Sequence, residues 1–156
     1  MRKKIEGKSI YLKKPGKDDY LKVKTIWEDE KTMEAVGGIF PISEKEYEKW
    51  YKGMFTAKKN ENCYFLIFKK ECDKLLGEVS FHNFNQRTGR ANLNIKVLCN
   101  QRGRGFGKEA LDLLLEHFFI HYRGEVMEYL IRKENKRGLD VLLNYGFTII
   151  GKKKDS

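Results

Sequence analysis

The sequence contains few cysteines, few prolines and no long apolar run. Its three cysteines, Cys63, Cys72 and Cys99, are odd in number, far apart and without a CxxC pair, which argues against a disulfide framework or a zinc site. No stretch of about 18 apolar residues occurs, so we expect no membrane span. The charged amino terminus lacks the apolar segment of a secretory signal. We therefore expect a cytoplasmic protein with reduced thiols.

Positive charge is in clear excess. Lysine and arginine number 32 against 22 acidic residues, a formal net charge of +10. Such a balance favours an anionic partner, for example a nucleotide, a nucleic acid or an acidic protein. A nucleic-acid groove would interleave basic residues with aromatic ones, yet the most basic loop, at 102–108, holds Phe106 as its single aromatic residue. Nucleic acid is therefore the disfavoured partner.

Hydrophobic periodicity predicts one α/β domain spanning residues 1–156, without a linker or an internal repeat. Helices are expected after Asp18, after a capping box formed by Ser43 and Glu46, after the glycine-rich loop, and from Asn135. An antiparallel meander followed by a βαβαβ unit implies a mixed sheet with helices on both faces. The predicted strands lie at 10–12, 63–68, 75–84, 91–98, 126–131 and 147–150.

The strongest local signal is RGRGFG, residues 102–107, which places a glycine at every second position directly before an amphipathic helix. The first amides of a helix lack internal partners, and glycines let an anion approach them, so the loop is suited to phosphate. Arg104 and Lys108 add positive charge. A Rossmann fingerprint would need glycine or alanine at Lys108, and a Walker loop would need glycine at Arg102 and Ser or Thr at Glu109.

The remaining pattern, R-x-x-G-x-G between a strand and a helix, resembles the acetyl-CoA loop of the GNAT superfamily of N-acetyltransferases. The resemblance extends over nearly the whole chain. Segments 10–29 (IYLKKPGKDDYLKVKTIWED), 75–81 (LLGEVSF) and 134–147 (ENKRGLDVLLNYGF) are similar to the ribosomal-protein N-acetyltransferase-like branch.

This resemblance implies a GNAT-like fold with splayed central strands and acetyl-CoA as co-substrate. The loop amides would hold the pyrophosphate, the pantetheine arm would lie along 95–98, and an amide near Val97 would stabilise the oxyanion. Asn135 would border the pantetheine arm, although a helix cap explains it equally well. The implied cofactor-binding residues are Ile95, Lys96, Val97, Leu98, Arg102, Gly103, Arg104, Gly105, Phe106, Gly107, Lys108 and Asn135.

Acetyl transfer to an amine needs a proton acceptor and, in many relatives, a phenol that protonates the leaving thiolate. Glu78 and His82 alternate onto one face of a predicted strand and are the candidate bases; a solvated strand face is the alternative. Relatives carry the tyrosine acid where this chain has Leu142. Tyr145 could substitute, or serve as a core aromatic, and the thiolate could also leave unassisted.

The expected acceptor is a primary amine: a protein N-terminus, a polyamine or an amino-antibiotic. It would meet the segment from Trp27 to Phe40 and the region of Trp50. The acidic residues Glu28, Asp29, Glu30 and Glu34 could attract a cationic acceptor, but a solvated helix end is the favoured interpretation. No metal is expected, although His117 and His121 stand four residues apart. A fold-mate that binds acyl-CoA without turnover is the alternative function. The final strand of the family is expected to be missing, which would favour a homodimer.

Overall fold

The computed structural model describes residues 3–55 and 61–152, and six strands form one mixed sheet in the order β1 to β6. The first five strands are antiparallel neighbours, and β6 runs parallel to β5. The strands are β1 (Lys4–Glu6), β2 (Ile10–Lys13), β3 (Cys63–Lys69), β4 (Leu75–Asn85), β5 (Arg90–Val97) and β6 (Val126–Glu128).

Five α-helices accompany the sheet in the described residues. Helix α4 continues into a π-helical turn at His117–His121. None of the described helices has the length and apolar character that crossing a membrane requires. The helices are α1 (Tyr20–Trp27), α2 (Glu30–Met33), α3 (Glu44–Phe55), α4 (Phe106–Glu116) and α5 (Lys136–Tyr145).

Apolar cores lie on both faces of the sheet, as the sequence predicted. On one face, Leu111 and Leu114 of α4 belong to a buried cluster with Phe65 and Phe81 from the strands. On the other, Ile26 of α1 joins a separate cluster formed with α3 and the alternate residues of β3. Because β3 has no solvated face, six of its seven residues are buried and its sequence reads as a continuous apolar run.

The capping residues of α3 match the prediction from the sequence, and those of α1 differ from it. Glu46 N–H donates to Ser43 Oγ at 3.2 Å, and Ser43 N–H donates to the Glu46 carboxylate at 3.0 Å, which confirms the capping box. The predicted cap Asp18 is wrong, since the residue before α1 is Asp19, whose side chain forms no capping bond to the helix. Strand β1 was not predicted, because three residues between charged side chains give too short a pattern.

The predicted last strand at 147–150 is not formed, and β6 ends at Glu128 rather than at Ile131. Branched residues favour a strand only where a neighbouring strand supplies hydrogen bonds. No such neighbour stands beside this segment in the described residues, and Ile149 and Ile150 are 52% and 78% exposed. Strand β6 is therefore an edge of the sheet.

The splay between β5 and β6 is confirmed. The two strands pair from Arg90 opposite Val126 to Asn92 opposite Glu128, and β5 then continues to Val97 without a partner on that side. On its other side β5 follows β4 so closely that a Cβ added at Gly77 would lie 2.0 Å from the Lys96 carbonyl oxygen. Glycine at position 77 therefore allows the two strands to lie this close together.

Glu109 ties α4 to the turn between β1 and β2. Its carboxylate accepts the amides of Ser9 and Ile10 at 2.9 and 3.1 Å, and also the Ser9 hydroxyl. Partial burial alone would raise the pKa of Glu109, but the hydrogen bonds from Ser9 and Ile10 outweigh burial and hold the pKa below its usual value. The contact fixes the direction in which α4 presents its first turn.

We expect Glu109→Gln to lower the free energy of unfolding by about 2 kcal/mol at neutral pH, since charge-assisted hydrogen bonds are lost. Because the pKa of Glu109 is lower in the folded state, its ionised carboxylate stabilises the fold at pH values above the unfolded-state pKa. The difference in free energy of unfolding between wild type and variant should therefore shrink below about pH 4. Urea unfolding of both proteins at several pH values measures this. Glu116→Gln, at an exposed position of the same helix, is the control. An unchanged difference at low pH would contradict the assignment.

Candidate active site

The glycine loop and the first turn of α4 present open backbone. Gly103 and Gly105 have φ of 78° and 83°, and a Cβ on either would meet no atom within 4 Å. The amide of Glu109 donates to the Gly105 carbonyl at 3.1 Å, so the three preceding residues of α4 lie in a turn whose amides lack internal acceptors. This geometry suits an anion such as a pyrophosphate.

Of the three basic residues in and after the loop, one donates hydrogen bonds to neighbouring backbone and two are exposed to solvent. Arg102 donates to the carbonyls of Val97 and Thr32 at 3.3 and 3.4 Å, so it joins the loop to β5 and α2. Arg104 and Lys108 are exposed. These two can accompany an anion at the helix terminus, whereas Arg102 also maintains the loop itself.

The open side of β5 carries backbone amides that β4 does not use. Leu98 N–H donates to Leu76 O at 2.8 Å, and bonded and non-bonded pairs alternate along an antiparallel ladder. The register then turns every second amide of β5 away from β4, towards the gap left by β6. Beyond the last pair with β6, the amides so placed belong to Ile95, which contacts the Tyr129 hydroxyl, and to Val97.

A cleft of about 780 Å³ occupies the splay between β5 and β6. Cationic or titratable nitrogen groups dominate its charged lining, with Glu128 as the one carboxylate among the described lining residues. Such a cleft favours an anionic ligand. The nitrogen groups are His82, Lys96, Arg132 and Lys152.

A second cavity, of about 610 Å³, lies beside the cleft and shares Val36 and Lys96 with it. Aromatic rings form much of its wall: Trp27 stands edge-on to Phe40 and to Trp50, with centroids 5.7 and 5.3 Å apart. Because they share these two residues, the aromatic cavity and the cleft are neighbouring compartments.

Glu78 lies beneath the boundary between the two compartments and is 1% exposed. Its carboxylate accepts hydrogen bonds from Trp27 Nε1 at 2.6 Å and the Tyr64 hydroxyl at 2.7 Å, and pairs with Lys96 Nζ at 3.3 Å. Three donors engage one carboxylate, so the geometry favours Glu78 as a group that orients Trp27 and Lys96 over a group that accepts a substrate proton.

His82 is half-buried and lines the cleft two residues beyond Ser80 on the same strand face. Burial, and then the charge of Lys96, lower the pKa of its imidazole below the ordinary value. The imidazole is therefore neutral at neutral pH, which is the form that accepts a proton.

The family model of the Acetyltransferase (GNAT) domain matches residues 9–148, most of the chain. The chain belongs to the GNAT acetyltransferase family. An uncharacterized N-acetyltransferase, p20, from Bacillus licheniformis is 29% identical over 91 residues, which is 58% of this chain and 51% of the relative. The chain thus aligns with about half the length of that relative.

Two solved structures illustrate the GNAT fold of this chain. Spermidine N-acetyltransferase from Vibrio cholerae, in complex with CoA and spermine, aligns with a TM-score of 0.81 at 18% identity, over 92% of this chain and 83% of that one. The ribosomal L7/L12 alpha-N-protein acetyltransferase RimL aligns with a TM-score of 0.80 at 17% identity, over 93% and 80%. At these identities the likeness shows the fold.

Asn135 and Tyr145, which the GNAT resemblance singled out, have different surroundings. The Asn135 side chain accepts the Gly138 amide at 2.9 Å as a helix cap and also lines the cleft, so both readings of this residue are compatible with the structure. The Tyr145 hydroxyl donates to Asp112 at 2.6 Å, and Tyr145 does not line the cleft. Leu142 is buried in the core.

The acidic residues at 28–34 do not form a cation-binding wall. Glu28 pairs with Lys24 at 2.5 Å, and the Asp29 carboxylate caps α2 through the Thr32 amide. The described residues that line the aromatic cavity include none of the four acidic residues Glu28, Asp29, Glu30 and Glu34.

Sequence reasoning also missed Tyr129, which lines the cleft just beyond β6. Burial raises the pKa of this phenol, while the adjacent Ile95 amide lowers it in part. The sequence signal that could have identified Tyr129 is its position directly after a strand.

We expect Gly105→Val to weaken CoA binding more than about tenfold, because the branched Cβ would project into the open space over the first turn. A left-handed conformation also strains valine by roughly 1–2 kcal/mol. Gly146→Val is the matched control, since Gly146 also has a positive φ and open surroundings. Titration calorimetry and thermal unfolding of both variants separate binding from strain. Equal affinity for CoA in the two variants would contradict the loop assignment.

Proposed function

We propose that this protein transfers the acetyl group of acetyl-CoA directly to a primary amine within a ternary complex. The observation that carries this proposal is the meeting of the cleft and the aromatic cavity at Val36 and Lys96. One compartment suits a phosphorylated, extended cofactor and the other an organic acceptor. Direct transfer is supported because none of the three cysteines lines either compartment, so no thiol carrier stands between donor and acceptor.

The donor would bind along the backbone that β6 leaves open. The pyrophosphate would sit on the amides at the start of α4, and the pantetheine arm would add to β5 as a strand does, through the outward amides of Ile95 and Val97. The Val97 amide would then face the thioester oxygen and stabilise its developing charge. Asn135 would border the arm.

The acceptor must lose a proton before it attacks, because an alkyl amine of pKa about 10.4 is mostly protonated at neutral pH. His82 would take this proton, directly or through water. Its lowered pKa and its place in the cleft support this role. Glu78 would act as a positioning residue through Trp27 and Lys96.

The aromatic cavity favours an amine attached to an apolar group over a polyamine. Phe40 is 59% exposed, yet its amide donates to the Trp27 carbonyl at 2.7 Å, so an aromatic ring is held at the cavity rim. Charged groups in the described lining are Glu46, Lys49 and Lys96, which provide no excess of negative charge. A second ammonium group on the acceptor would be desolvated there without a carboxylate to compensate it.

Thiol release from acetyl-CoA tests the function with three amines: 2-phenylethylamine, a peptide with N-terminal phenylalanine, and spermidine. We expect kcat/KM for the apolar amines to exceed that for spermidine at least tenfold. Phe40→Ala should lower kcat/KM for 2-phenylethylamine about tenfold, roughly the contribution of burying a phenyl group, with CoA affinity unchanged. Preference for spermidine would contradict the acceptor class, and CoA binding without turnover of any amine would support the non-catalytic alternative.

A homodimer through the β6 edge is a further proposal. Leu130 and Ile150, both more than half exposed, line the cleft together with Glu128 of this edge, and the exposed Ile149 precedes Ile150. An open strand edge flanked by apolar side chains is suited to pairing with a second copy.

A further inference from the structure

We propose that Lys96 is a catalytic residue whose ammonium group stabilises the negative charge on the thioester oxygen and the departing sulfur. The inference rests on the proposed acetyl transfer and assigns to a lysine the task that a phenol would otherwise perform. Lys96 lines both compartments, so its side chain lies where the two substrates would meet.

The surroundings of Lys96 hold its ammonium group in place. Its side chain is 11% exposed, and Nζ donates to Glu78 at 3.3 Å and to Asn94 Oδ1 at 3.0 Å. An ammonium group has three N–H donors. Among the described residues no acceptor is in place for the third, so this donor is available to a ligand in the junction.

The alternatives for this role are placed less well. Leu142 occupies the position of the tyrosine acid and is buried in the core, and the Tyr145 hydroxyl is already bound to Asp112. A preorganised cation in a half-enclosed site stabilises developing charge without reorganising. Lys96 combines these properties, whereas the more exposed Lys49 lines only the aromatic cavity.

The step balances without a further reactant. The neutral amine attacks the thioester carbonyl carbon, a C–N bond forms, and the C–S bond breaks with its electron pair leaving on sulfur. The ammonium proton leaves through His82 to solvent before the attack, and the second proton, which the nitrogen releases after the attack, also passes to His82. Lys96 keeps its protons and donates a hydrogen bond first to the oxyanion and then to the thiolate. The products are the acetamide, the CoA thiolate and a protonated imidazole, which solvent deprotonates.

Several charged or titratable groups face this junction, and their fields set its pH response. Lys96 contributes to the lowered pKa of His82, so removing its charge should raise that pKa. The facing groups are Glu78 and His82 on β4, Glu128 on β6, Tyr129, Arg132 and Lys152 around the cleft, and Glu46 and Lys49 on α3.

The test compares Lys96→Met with Lys96→Arg in steady-state assays with acetyl-CoA and 2-phenylethylamine. We expect Lys96→Met to lower kcat about 100-fold, the loss typical of one transition-state donor, with CoA affinity changed less than threefold. Lys96→Arg should retain kcat within about tenfold. The acid limb of the kcat profile should move to higher pH in Lys96→Met. Unchanged kcat, or an unchanged acid limb, in folded Lys96→Met would overturn the proposal.

Two further variants separate charge stabilisation from folding. Lys96→Met leaves Glu78 as an unpaired buried charge, which destabilises a protein, so the double variant Glu78→Gln with Lys96→Met removes the pair together. Recovery of kcat in the double variant would show that Lys96 only neutralises Glu78, and a persistent loss supports the proposal. Arg90 lies on the same strand as Lys96 and forms an exposed ion pair with Glu128 of β6 at 2.8 Å. The control variant Arg90→Met breaks this pair and should keep kcat within twofold. A wild type without any turnover would refute the proposed function instead.

Discussion

The divergence of β6 from β5 after Asn92 is the constraint on which the candidate site depends. A strand that continues for five residues with a neighbour on one side only would normally expose unsatisfied donors and acceptors on the other side. Here Asn94 and Lys96 line a cleft of about 780 Å³, the Val97 amide points away from β4, and the Ile95 amide lies against the Tyr129 hydroxyl. The candidate site is thus a gap between two strands, at which an extended ligand could form hydrogen bonds with β5 in place of β6.

The rest of the molecule keeps that gap open and fixes its borders. Gly77 lets β4 hold β5 closely, the carboxylate of Glu109 anchors α4, and Arg102 joins the glycine loop to the end of β5. Glu78 connects this framework to the aromatic cavity through Trp27 and Lys96. A buried ion pair is a weak source of stability, so its value here lies in orienting the groups at the junction.

Much of the fold was predictable because its signals are local. The capping box of Ser43 and Glu46, the apolar stripe of α4 and the alternating glycines each encode their structure within a few residues. The predicted strand at 147–150 failed for the opposite reason. Its branched residues favour extended backbone, but a strand also needs a partner, and partners are decided by how distant segments pack.

The sequence by itself determined the two-faced sheet and the glycine loop before α4, since periodicity and glycine spacing act over short distances, and its resemblance to the GNAT superfamily indicated the family. It also brought Glu78 and His82 onto one strand face. Only the tertiary structure decided which partners those side chains meet. Folding saturates the Glu78 carboxylate with three donors, leaves His82 in the cleft, turns Tyr145 towards Asp112 and brings Lys96 to the boundary of two compartments. Hydrogen-bond partners and burial depend on residues far apart in the chain, and no local pattern records them.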